Sequence, residues 1–149
     1  GAEVHPVRDG APAPTFDSIA VGGIMGCGDD RVRGCIVVAA PVDVLRLAMP
    51  EELAQITHES LRDLAGELAN MLAGRIKNRL PGGVAVRLGC PFTAIGVDLT
   101  LPAPSGGTST WHSFQSVPGM VHVRLDAVFD AKFEFAAGAP RSASPERST

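Results

Sequence analysis

Asp63, Glu67 and Asn70 are the residues of this chain whose types and spacing best suit chemistry. They stand at i, i+4 and i+7 in the run THESLRDLAGELANMLAGRIKNRL (57–80). At 100° per residue they fall within about 60° of one another on three successive turns of one helix. A carboxylate accepts hydrogen bonds and pairs with cations, whereas a carboxamide carries a donor and an acceptor on one rigid group. Side by side on a polar stripe, such groups can hold a water or a partner's cation. Gly66 and Gly74 share this arc. Glycine inside a helix costs ~1 kcal/mol relative to alanine, so two of them on an open face point to a partner that approaches closely. A plain solvated face also carries acids and amides, and E-x-x-N spacing alone occurs in many helices.

The other constellations carry less. His58, His112 and His122 include no pair at the i, i+4 spacing of helical metal ligands, so no metal site is expected. The glycine-rich GGIMGCG lacks both the dinucleotide-binding order and a P-loop lysine, and no G-x-S-x-G marks a serine nucleophile. Trp111 has no basic surround and reads as a core or edge anchor. Cys27, Cys35 and Cys90 form an odd set without C-x-x-C spacing, which suits small buried hydrophobes in a reducing compartment and predicts a cytoplasmic protein. The 149 residues hold 16 acidic and 13 basic side chains, net −3, which offers no general attraction for nucleic acid or an anionic membrane. No apolar run approaches the ~20 residues a membrane span needs, and GAEVHPVRDG does not read as a signal peptide.

The elements that must position the stripe follow from periodicity. With 45% hydrophobic and 19% charged residues, the chain has material for one domain with an ample core. Leu61, Leu64, Leu68, Met71, Leu72 and Ile76 share an arc of roughly 140°, which predicts the buried side of a ~23-residue helix capped by Thr57. Arg75 and Arg79 fall within that arc and are expected to snorkel. Before the helix, residues 19–25 and 31–39 are apolar, β-branched runs separated by GCGDD, a hairpin pattern with positive φ expected at the turn. Pro41 fits the first position of a short helix that Pro50 ends. After the long helix, 84–90, 108–116 and 120–129 read as strands, with a further one at 132–135. The Pro-, Gly- and Ala-rich residues 1–15 read as an N-terminal tail, 16–137 as the domain and 138–149 as a C-terminal tail. Strands around one long helix indicate an α+β fold with an antiparallel β-sheet and shorter helices beside the long one.

The run D63-LAG-E67-LA-N70-MLA-G74-RIK resembles the signature of the CheX and CheC family of bacterial chemotaxis phosphatases: Asp or Ser, three residues, Glu, two residues, Asn. GCGDDRVRGCIVVAAP resembles the family's strand, turn and strand leading to a first helix, and LGCPFTAIG its strand-then-proline segment. The resemblance covers roughly residues 19–96, and a single Glu/Asn motif is nearer to CheX than to CheC. It implies hydrolysis of the aspartyl phosphate on a CheY-like receiver domain, whose own Mg²⁺ and Lys neutralise the phosphoryl oxygens, so this chain needs no cofactor. In that scheme Asn70 orients the attacking water and Glu67 pairs with the receiver's Lys. Asp63, Gly66 and Gly74 would contact the partner, and a homodimer is implied. The same fold also accommodates a non-catalytic reading, a receiver-binding or flagellar-switch-like interaction module, and the intact Glu67 and Asn70 favour the enzyme.

Overall fold

The computed structural model describes residues 5–29, 32–47, 49, 56–80, 86–101, 103 and 106–129. In chain order the elements are β1 (His5–Ala11), β2 (Ala20–Gly28), β3 (Val32–Pro41), α1 (Val42–Arg46), α2 (His58–Lys77), β4 (Arg87–Gly96), β5 (Thr108–Ser116) and β6 (Gly119–Phe129). The strands form one six-stranded sheet in the order β1-β5-β6-β3-β2-β4, with every neighbouring pair antiparallel. The α+β class expected from the strand and helix pattern is the class observed.

β2 and β3 pair without a break from Ala20↔Pro41 to Gly28↔Arg33. Asp29 closes their turn: its backbone N–H donates to the Val32 carbonyl at 2.8 Å, and its Oδ1 accepts from the Val32 N–H at 2.8 Å. The strands consume the Gly-Cys-Gly that composition assigns to the turn, and neither Gly26 nor Gly28 takes a positive φ. Pro41 ends β3 as the N-cap of α1 rather than its first helical residue, and α1 is only five residues long.

Two edge strands depart from the sequence reading. The segment read as an N-terminal tail contributes β1, which pairs with β5 through two register shifts. An edge strand needs backbone partners on one side only, so it tolerates the prolines and glycines that disguise it. At the other edge, β4 starts later than expected and runs on through Pro91 to Gly96. Met25 pairs with Pro91 and Cys27 with Leu88, so Gly26 faces both Gly89 and Cys90, a bulge that relieves the pairing beside the proline. The expected strand at 132–135 and the tail at 138–149 lie outside the described residues.

α2 begins with reciprocal capping: Thr57 Oγ1 accepts from the Ser60 N–H at 3.1 Å, and Ser60 Oγ accepts from the Thr57 N–H at 2.9 Å. It ends at Lys77, three residues before the sequence pattern does, with Asn78 as C-cap. The helix packs on β2, β3 and β4, yet not through the predicted leucine arc. Its buried residues are Leu61, Ala65, Gly66, Ala69 and Ala73, while Leu64, Leu68, Leu72 and Ile76 are half-buried and Met71 is 47% exposed. Relative to the expected orientation, α2 is rolled by roughly a quarter-turn at 100° per residue. The alanines let the helix backbone sit close on the sheet, and the leucines pack along its flank against α1 and β6.

The opposite face of the sheet is covered by Phe16, Leu99 and Leu101 over Ala20 and Ala39. It also holds a buried ion pair. Arg124 Nη2 and Nε reach Asp126 Oδ2 at 2.9 and 3.0 Å, with the guanidinium 5.3 Å from the centre of the Trp111 ring. Cys35 Sγ donates to the same carboxylate at 2.9 Å, Ser109 Oγ donates to its other oxygen, and Arg124 Nη1 donates to the Leu101 carbonyl. Among the described residues no buried side-chain polar atom lacks a partner.

Candidate functional site

The sheet-facing seam of α2 dictates what the helix presents to solvent. Taking the mean direction of Leu61, Ala65, Gly66, Ala69 and Ala73 as inward, Glu67 points almost directly outward. Asp63 and Asn70 lie between it and the β4 side at roughly 100–125° from the inward direction. All three are exposed. None of them makes a hydrogen bond or ion pair with its side chain among the described residues. The three polar groups are thus held by a rigid helix and are themselves unengaged, an arrangement that leaves their donors and acceptors for an incoming molecule.

Gly74 is half-exposed, and a Cβ built on it meets nothing within 4 Å. Gly66 behaves differently, and its expected place on an open docking face is corrected: it is buried. A Cβ there would meet Thr93 Cγ2 at 3.0 Å and Pro91 Cβ at 3.6 Å. The roll of α2 toward β4 produces this contact, so the helix glycine that looked like an approach for a partner instead admits the chain's own edge strand. On the sheet side, a Cβ on Gly23 would stand 2.0 Å from the Ala65 carbonyl oxygen. Sequence reading passed over Gly23, Pro91 and Thr93 as contacts of the helix. The available signal is the Gly22-Gly23 pair in a strand that holds four glycines among its nine residues, because glycine within a strand marks a close backbone approach.

Flanking the stripe on its other side, Leu68, Met71 and Arg75 form one wall of a mostly apolar cavity of about 460 Å³, whose remaining lining includes Leu45, Phe114 and Val121. His58, on α2, and His112 and His122, on β5 and β6, do not assemble, and among the described residues no three His, Cys, Asp or Glu side chains form a metal-binding group. His122 Nδ1 lies 2.9 Å from Ser113 Oγ and its ring meets Phe16 edge-on, and burial lowers its pKa from the ordinary 6.5. Burial, followed by the hydrogen bond to Asp126, pushes the Cys35 thiol up to about 11. Burial raises Cys27 as well, whereas Cys90 is exposed on β4. Among the described residues no helix is long and apolar enough to cross a membrane.

These features match known proteins in sequence and in fold. A family model described as chemotaxis phosphatase CheX matches residues 21–115. A CheC-like superfamily protein from Shewanella sp. PV-4 superposes with a TM-score of 0.73 at 22% identity, covering 85% of this chain and 84% of that one. The CheX chemotaxis protein from Vibrio vulnificus gives 0.67 at 19% identity, over 85% and 86%. CheX in a CheX–CheY–BeF3–Mg²⁺ complex from Borrelia burgdorferi gives 0.60 at 14%, over 85% and 83%. No curated protein is similar enough in sequence to carry a comparison.

Proposed function

Because the chain belongs to the CheX family of chemotaxis phosphatases, we propose that it hydrolyses the aspartyl phosphate of a CheY-like receiver domain, with Asn70 orienting the attacking water and Glu67 pairing with the receiver's active-site Lys. The observation that carries this reading is the exposed, unengaged Glu67 and Asn70 on the outer side of a helix fixed by its inner side. A structural relative has been solved with CheY, BeF3 and Mg²⁺, which supports a receiver as the partner.

The chemistry asks little of the chain. The water's oxygen bonds to phosphorus as the bond from phosphorus to the aspartyl oxygen breaks, giving inorganic phosphate and the free carboxylate, while the water's protons leave to phosphate and solvent. Charge on the phosphoryl oxygens is met by the receiver's own Mg²⁺ and Lys. What remains is orientation. The Asn70 carboxamide can accept from the water through its oxygen while its NH₂ donates to the phosphoryl group, so one rigid group fixes the line of attack. A Glu67 carboxylate on the receiver's ammonium adds a charge-assisted hydrogen bond that sets the docking register. Asp63 and Gly74 then lie on the rim of the contact.

The test is phosphate release from a panel of phosphorylated receivers with Mg²⁺. Wild-type protein should accelerate release from at least one of them. Asn70→Ala should lose on the order of 10²-fold in rate with its circular dichroism unchanged, since orientation and preorganised donors are worth several kcal/mol. Binding to a phosphorylated receiver without faster release would instead identify a non-catalytic interaction module.

A further inference from the structure

We propose that Gly66 and Thr93 form a spacer between α2 and the edge strand β4 that fixes where Asn70 stands, which makes both of them positioning residues of the reaction proposed above, on which this inference rests. Gly23 and Thr93 are registered partners on β2 and β4. The junction of Ala65 and Gly66 lies over that pair. On one side the Ala65 carbonyl oxygen occupies the place a Gly23 Cβ would need, at 2.0 Å. On the other, the Thr93 methyl stands 3.0 Å from where a Gly66 Cβ would be. One junction of the helix is therefore seated against two strands with no room for a Cβ on either side.

The two contacts differ in kind. Gly23 against Ala65 is backbone on backbone and sets the height of the helix above the sheet. Gly66 against Thr93 is backbone on the methyl of a β-branched side chain with a stiff χ1, and it sets the roll of the helix toward β4. Gly66 directly precedes Glu67 and lies one turn before Asn70, so a displacement there passes to the pair through the helical hydrogen bonds. With the Thr93 methyl gone, the nearest neighbours of an added Cβ at 66 are Pro91 Cβ and Cγ at 3.6 and 3.9 Å, ordinary contact distances. The strain of an alanine at 66 is thus assigned to one atom, and deleting that atom should relieve it.

The experiment is a double-mutant cycle of Gly66→Ala and Thr93→Ala, read in two ways. The first is kcat for receiver dephosphorylation. A methyl that must shift the helix by a few tenths of an ångström should lower kcat about three- to tenfold with a smaller change in KM, given that ~1 Å of misplacement costs ~10²-fold. On the Thr93→Ala background the same substitution should cost less than about 1.5-fold. The second is the position of the Asn70 side-chain NH₂ resonances in the protein without any receiver: Gly66→Ala should shift them and the double variant should return them. Full kcat in Gly66→Ala, or an equal loss with and without the Thr93 methyl, overturns the proposal. If wild-type protein accelerates no receiver, the phosphatase reading falls, and Asn70 resonances that ignore Gly66→Ala would overturn the spacer by themselves. Should Gly66→Ala not fold, Thr93→Ser, which trims the methyl and keeps Gly66, must move those resonances for the proposal to stand.

Discussion

Glu67 and Asn70 owe their availability to the helix that holds them outward. Neither is engaged by a neighbour among the described residues, so substituting either should leave folding intact. Glu67→Gln, which keeps the size and removes the charge, should raise KM for the phosphorylated receiver about three- to thirtyfold, the worth of one partly solvent-exposed charge-assisted contact, with a smaller effect on kcat. The cysteines make a second prediction at this scale. Cys35 stays a thiol: burial, followed by the hydrogen bond it donates to the Asp126 carboxylate, raises it to about 11, and burial raises Cys27 as well. With a disulfide-exchange reagent at pH 8, the exposed Cys90 should therefore react first and Cys35 last, a ranking that peptide mapping would check. The identities and exposure of Asp63, Glu67 and Asn70 could be read from spacing, because a polar stripe opposite an apolar one survives an error in the roll of the helix. The place of Gly66 could not, because which flank of the helix touches β4 depends on a strand some 25 residues later in the chain.

At the level of the element, α2 shows where an apolar count misleads. Hydrophobicity weights leucine above alanine, so the arc of Leu64, Leu68 and Met71 looks like the inward side. Alanine takes the inward position because a small side chain lets two backbones meet, so Ala65 packs with Val21, and Ala69 and Ala73 with Met25, at a closeness a leucine would prevent. The energetic weight consequently sits at Leu61, which is 0% exposed, rather than at Leu68 or Met71. Leu61→Ala should destabilise by ~2–5 kcal/mol, while Met71→Ala, half in solvent, should cost less than about 1 kcal/mol. Urea titrations of the two variants would show the order. The β2–β3 hairpin is legible because its partners are close in sequence, although its turn lies beyond the glycines. The two edge strands were not: β1 hides in proline- and glycine-rich sequence, and β4 continues through a proline that only an unpaired edge can absorb.

Across the whole molecule, the two faces of the sheet divide the labour. The face under α2 carries the candidate site, and the other carries the ion pair of Arg124 and Asp126, 3% and 5% exposed. Asp126→Ala removes a carboxylate from beside a buried guanidinium and should cost ~3–5 kcal/mol. Its dephosphorylation rate per folded molecule should stay near that of wild type, which a calorimetric scan and the release assay together would establish. His122 lies on the same side as this pair, and its pKa is lowered by burial. The folded state therefore favours the neutral ring, so the stability this contributes is complete above the ordinary value of 6.5 and declines as pH falls below it. A melting temperature that drops between pH 7.5 and 5.5, and drops less in His122→Asn, would show this dependence.

The alanine and glycine seam under α2 has one more consequence. Side chains without χ rotations have no rotamers to freeze when helix meets sheet, so this docking forgoes a cost that leucines or methionines would have imposed. The middle of the helix should then open only with the entire domain. Deuterium should enter the backbone amides around Ala69 and Ala73 last of all, so the receiver would meet a surface already set in its working shape.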